Sequence, residues 1–140
     1  MKVVFPFRVW EEDGAYLIQG LPPFDNVATY GDTLPSALDA AREALTGVLG
    51  VMLDRGEPIP DPPPAGPATY MVEPSPKVAI PILLRKAREA AGLTQGDLAT
   101  RLGTTYQAVQ KLERSGANPT VATVDRVIKA LGWRLDVNVV

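Results

Sequence analysis

Along the first part of the chain the apolar residues fall at a period of two. Val3, Phe5, Phe7 and Val9 alternate with Val4, Pro6 and Arg8, which predicts a strand, and Pro6 predicts an edge position because proline cannot donate to a ladder. Glu11-Glu12-Asp13-Gly14 reads as a turn and Ala15–Leu21 as the returning strand, so Val3–Leu21 forms a hairpin. After the loop Pro22–Asn26, a short third strand covers Val27–Tyr30. The period then changes. Leu34, Leu38, Ala41, Leu45, Val48 and Met52 recur at alternating spacings of four and three, the stripe of an amphipathic helix. Thr33 suits its N-cap, Pro35 is tolerated in the first turn, and Gly56 ends it as a left-handed cap. Gly47 and Gly50 weaken that helix unless they let it pack closely on the strands.

Pro58–Pro67 holds six prolines in ten residues and is extended and semi-rigid, either an interdomain linker or an ordered loop. Ala68–Val72 reads as one more strand; if it returns to the sheet, the true linker is only Glu73–Pro76. The expected fold class is therefore α+β, with a βββαβ unit over residues 1–72 and an all-helical domain over residues 77–140.

In the second domain a helix spans Ile82–Ala91 and closes at Gly92, with Pro81 either at its first position or preceded by further turns from Val78. Thr94 caps a helix over Gln95–Leu102, Gly103 turns the chain, and Thr104 or Thr105 caps a third helix running to about Glu113. Leu93, Leu98, Leu102, Val109 and Leu112 form the inner side. Thr105, Tyr106, Gln107, Gln110, Lys111 and Arg114 are left outside, which is how a helix-turn-helix presents a recognition helix to the major groove. Glutamine matches adenine N6/N7 and lysine matches guanine O6/N7. Gln95, Thr104 and Ser115 lie at helix or loop ends suited to phosphate. Arg88, late in the first of these helices, and Glu113, at the end of the third, either form a partly buried ion pair joining them or are two unrelated surface charges.

Thr120–Leu131 is a further helix with Val121, Val124, Val127, Ile128 and Leu131 on its buried side. Beyond Gly132, Trp133, Leu135, Val137 and Val139 alternate with polar residues and predict a strand without a neighbour in sequence. Either it pairs with its copy in a second subunit, giving a two-fold dimer, or it docks on its own domain.

Composition narrows the chemistry. The chain has no cysteine and no histidine, which excludes disulfides, histidine-based triads and histidine-ligated zinc. No apolar run is long enough to span a bilayer and Met1-Lys2 leads directly into the first strand, so a cytoplasmic protein is expected. The net charge of −2 hides a division: residues 1–76 carry −7 and residues 77–140 carry +5. A basic half suits a polyanion and an acidic half suits a basic partner. The acids of the first half sit in turns (Glu11, Glu12, Asp13, Asp25, Asp32) and on the helix's polar face (Asp39, Glu43, Asp54), either as a solvated surface or as a partner-facing one. None lies on the first strand, where a metal-dependent nuclease would need converging carboxylates.

GLTQGDLATRLGTT-x-x-AVQKLERSGANPT, within Ile82–Gly132, resembles the helix-turn-helix of the phage-repressor (Xre/Cro) family. That likeness implies phosphate contact by Gln95, base reading by Tyr106, Gln107 and Lys111, and pairing of Arg88 with Glu113. Taken whole, EEDGAYLIQGLPPF, TYGDTL, SALDAAREAL, GEPIPDP and the closing LGWRLDVNV resemble the HicB antitoxin family. The resemblance implies a degraded ribonuclease-H-like fold for residues 1–72, a small basic HicA-type toxin as partner, and a dimer or tetramer that represses its operon from an inverted repeat. It implies no catalysis and no cofactor. A repressor sensing a small ligand, and a hydrolase acting on RNA, are the competing classes.

Overall fold

The computed structural model describes residues 1–140. The chain runs β1 (Phe5–Glu12), β2 (Ala15–Gly20), β3 (Ala28–Gly31), α1 (Leu34–Asp54), β4 (Thr69–Val72), then α2 (Pro76–Ala90), α3 (Gln95–Leu102), α4 (Tyr106–Leu112) and α5 (Val121–Ala130). The strands form one antiparallel sheet in the order β3-β2-β1-β4, and the βββαβ order expected from the sequence is the order found. No helix is long and apolar enough to cross a membrane.

β1 is a central strand, against the edge position that Pro6 suggested. The register explains why proline is tolerated. The Pro6 carbonyl accepts from the Leu21 N–H at 3.1 Å, just past the end of the β1–β2 ladder, so the missing donor faces Leu21. The Leu21 carbonyl is satisfied instead by the Phe24 N–H at 2.8 Å. No ladder bond is lost inside the sheet.

Phe5, Phe7 and Ile18 point from the sheet onto α1 and are buried with Phe24, Val27 and Val72. The buried stripe of α1 is Ala37, Ala41, Leu45, Leu49 and Leu53, while Leu38, Val48 and Met52 flank it. A stripe repeating every four residues drifts slowly around a 3.6-residue helix, and small Ala37 and Ala41 let its first half approach the sheet. Thr33 caps the helix in a reciprocal box with Ser36. Gly31, where β3 leaves the sheet, allows that approach: a Cβ there would lie 2.4 Å from the Ala37 nitrogen. Gly47 faces open space, and Gly50 faces Val78 and Ser115 instead of the strands.

The helix expected to start at Ile82 starts six residues earlier. Ser75 accepts a hydrogen bond from the Lys77 N–H as N-cap, Pro76 opens the helix, and Pro81 lies inside it. The residues read as linker therefore include the first residue of α2. This helix joins the halves, because Val78 and Ile82 are buried in the sheet's core while Leu84 and Ala87 are buried in the second core with Leu98, Leu102, Val109 and Ile128. The proline segment runs back along it: Ile59 packs on the first core and Asp61 meets Lys86 at 2.8 Å.

Two expectations for the end of the chain are corrected. Val121, expected on the buried side of α5, is 77% exposed at that helix's first turn. Residues 133–140 form no strand within the chain. Leu135 packs on the second core, but Trp133, Val137 and Val139 remain exposed. Alternation supplies one side of a ladder, and no strand of this chain lies there to complete it.

Candidate nucleic-acid interface

α3 and α4 are built from local signals. Thr94 and Asp97 form a reciprocal capping box at the start of α3. Asp97 is held below its ordinary 3.8 chiefly by the Thr94 backbone N–H, with the Thr94 side chain second. Gly103 closes α3 at φ +66°, a conformation an L residue rarely adopts, and so sets the angle between the helices. Thr105, not Thr104, is the N-cap of α4, accepting from the Ala108 N–H at 3.1 Å. Val109 is fully buried on the inner side. Thr104, Thr105, Tyr106, Gln107, Lys111 and Arg114 are exposed, Gln110 is half-buried, and together they present one polar, cationic surface.

Behind that surface lies an ionic joint. The Arg88 Nε donates to Glu113 Oε2 at 2.7 Å and Nη2 to Oε1 at 2.8 Å, the parallel fork that guanidinium and carboxylate form best. Nη1 donates to the Leu93 carbonyl at 2.7 Å. The two side chains are only 11% and 4% exposed. The hydrogen bond to Glu113 raises the Arg88 pKa against the opposing effect of burial. α2 is thus tied both to the start of the α3 segment and to the end of α4. Gln95 also turns toward this joint, its Nε2 donating to Glu113 Oε1 at 3.1 Å, so its amide serves the scaffold from the position expected to meet phosphate.

Ser115 occupies another unexpected setting. Its backbone N–H donates to Asp54 Oδ1 at 3.0 Å and its hydroxyl to Oδ2 at 2.6 Å. These bonds, the hydroxyl's first, hold the Asp54 carboxyl below its usual value. Asp54 ends α1, far away in sequence. Nothing in the chain's local pattern distinguishes it from other acids on that helix's polar face, and only the packing of α1 beside the loop after α4 reveals the contact.

A four-stranded sheet with one covering helix, joined through a shared helix to a helix-turn-helix, defines a two-part α+β protein with a DNA-binding reader. A helix-turn-helix family matches residues 84–137. Over 128 residues the chain is 31% identical to Antitoxin HicB 1 of Photorhabdus laumondii, covering 91% of this chain and 81% of that protein. It is 28% identical over 123 residues to Antitoxin HicB of Escherichia coli K12, covering 88% of each. An HTH-type transcriptional regulator of Methanothermobacter thermautotrophicus is 40% identical over 50 residues, 36% of this chain. The chain belongs to the HicB antitoxin family and carries a helix-turn-helix DNA-binding domain.

Proposed function

We propose that this protein is the antitoxin of a HicA–HicB pair, that it binds and masks a small basic mRNA-cleaving toxin through its sheet domain, and that it represses its own operon through α4. The observation that carries this reading is the match to a HicB antitoxin across 91% of the chain, spanning both the sheet and the reader. The charge division supports it: −7 on residues 1–76 suits a basic protein, and +5 on residues 77–140 suits DNA. The role is binding and regulation in the cytoplasm, without catalysis.

On the DNA, Tyr106, Gln107, Gln110 and Lys111 read base edges, while Thr104, Thr105, Arg114 and Ser115 meet the backbone. The exposed Trp133, Val137 and Val139, with Leu135, pair with a second copy. The resulting two-fold dimer places its recognition helices roughly 34 Å apart on an inverted repeat. Such dimers can pair further into tetramers.

The test is to find whether an adjacent reading frame encodes a small basic protein and to co-express the two. The full chain should abolish that protein's toxicity and co-purify with it. A chain carrying Gln107→Ala and Lys111→Ala should still do so but should no longer shift its promoter DNA. Loss of neutralisation in that variant would refute the division of labour, and the absence of any toxic partner would favour a ligand-responsive repressor.

A further inference from the structure

The loop after the recognition helix has the makings of a backbone contact. Lys111, Arg114, Ser115 and Asn118 line an open cleft of about 670 Å³ beside it, and the Ser115 N–H and hydroxyl converge on one point at its wall. Two cations and two converging donors are what a DNA phosphate would engage. In this structure both donors are already taken by Asp54, which reaches the cleft from the end of α1 at 3.0 and 2.6 Å. Gly50, one turn earlier, faces the same loop: a Cβ there would lie in ordinary contact with Ser115 and Val78 at 3.5 and 3.6 Å. Arg85 of α2 donates to the Gly56 carbonyl at 3.5 Å, holding the end of α1 against the reader.

We propose that Asp54 is an internal competitor for DNA phosphate, an autoinhibitory carboxylate through which the sheet domain lowers the affinity of its own reader. A carboxylate oxygen and a phosphate oxygen are acceptors of the same kind, and the Ser115 pair cannot serve both. The carboxylate also places a negative charge in the cleft that Lys111 and Arg114 line, where it repels an incoming backbone. DNA engages the Ser115 loop fully only when the end of α1 withdraws. The proposal rests on the DNA-binding reading above and adds to it a residue outside the helix-turn-helix.

The test is a double-mutant cycle on the full chain, read by fluorescence anisotropy with a mixed-sequence 30-base-pair duplex at several salt concentrations. Asp54→Ala should bind about tenfold tighter, as expected when a charge-assisted acceptor stops competing. Its salt dependence should steepen by about one unit of log K against log salt, one more phosphate engaged. Ser115→Ala should weaken binding by about threefold in the Asp54→Ala background, where the hydroxyl is free, and by clearly less in the wild-type background, where Asp54 competes for it. Asp54→Asn, which keeps an acceptor but no charge, should fall between wild type and alanine; it carries the same test should the alanine variant melt early. Equal or weaker binding by both Asp54 variants would overturn the proposal while leaving DNA binding intact. So would a Ser115→Ala effect that is the same in both backgrounds, since the gain would then be general charge alone. If no form of the chain binds any duplex at low salt, DNA binding itself falls, and the proposal with it.

Discussion

Replacing Arg88 by alanine should unsettle the reader more than any other single change on its polar side. The substitution removes both hydrogen bonds to Glu113 and the one to the Leu93 carbonyl. Glu113, whose side chain is 4% exposed in the intact pair, would be left in a largely buried setting with only the Gln95 amide hydrogen-bonded to it. Breaking a buried pair from one side costs about 3–5 kcal/mol, because the remaining ion is stranded away from water. Against a total stability of roughly 5–15 kcal/mol that is a large fraction. For a chain of this size it corresponds to a fall in Tm of roughly 10–17 °C. Because Glu113 is the C-cap of α4, DNA affinity should fall with it. Arg88→Met combined with Glu113→Leu should recover most of the loss, since an apolar pair of similar volume leaves no charge to desolvate. Thermal unfolding followed by circular dichroism on the single and double variants is the assay. An Arg88→Ala protein melting within about 2 °C of wild type would show that the pair contributes little and that the joint is held by apolar packing alone.

Ile82→Ala should destabilise by about 2–5 kcal/mol, and both halves should melt together, because α2 contributes to both cores; separate transitions for sheet and reader would contradict that. Gly31→Ala should be poorly tolerated, since its Cβ would sit 2.4 Å from the Ala37 nitrogen, whereas Gly47→Ala, with nothing within 4 Å, should stabilise by up to about 1 kcal/mol in urea unfolding. Asp97, whose folded pKa lies below 3.8, contributes stability that is present above that value and is lost as the pH falls through the lower folded one. Asp97→Asn should accordingly flatten the acid limb of the stability curve, and an unchanged limb would argue against the capping box. Val137→Asp with Val139→Asp should give a monomer by analytical ultracentrifugation and weaken operator binding, while a persistent dimer would place the interface elsewhere.

The order of elements along the chain, βββαβ, and the helix-turn-helix could be read from the sequence because both arise from local periodicity and end signals. Strands β1 and β2 follow from a period of two around Asp13-Gly14, and α3 and α4 from Thr94, Gly103 and Thr105. Pairing of Arg88 with Glu113 was suggested by their places at the ends of two helices and by the resemblance to the phage-repressor reader, while the alternative of two separate surface charges needed the packing to be dismissed. What misled was context. Pro6 argues for an edge unless one knows that its nitrogen faces the end of a ladder. Ser75-Pro76 is a helix start hidden by the prolines before it and by Pro81 after it. The alternating tail Trp133–Val139 has strand chemistry, yet alternation cannot supply the neighbour that makes a strand.

By itself the sequence determined the strands and helices through α5 apart from the start of α2, their order, the outward polar set on α4, and a charge division that separates an acidic half from a basic one. Each of these depends on residues within a turn or two of one another, or on simple counting. Tertiary structure alone decided that α2 belongs to two cores, that Gln95 turns toward Glu113, and that Asp54 holds both Ser115 donors. Those contacts join residues brought together only when the end of α1 packs beside the reader, and no local pattern records the distance between separate elements. The recognition helix was legible as a helix; its coupling to the sheet domain was not.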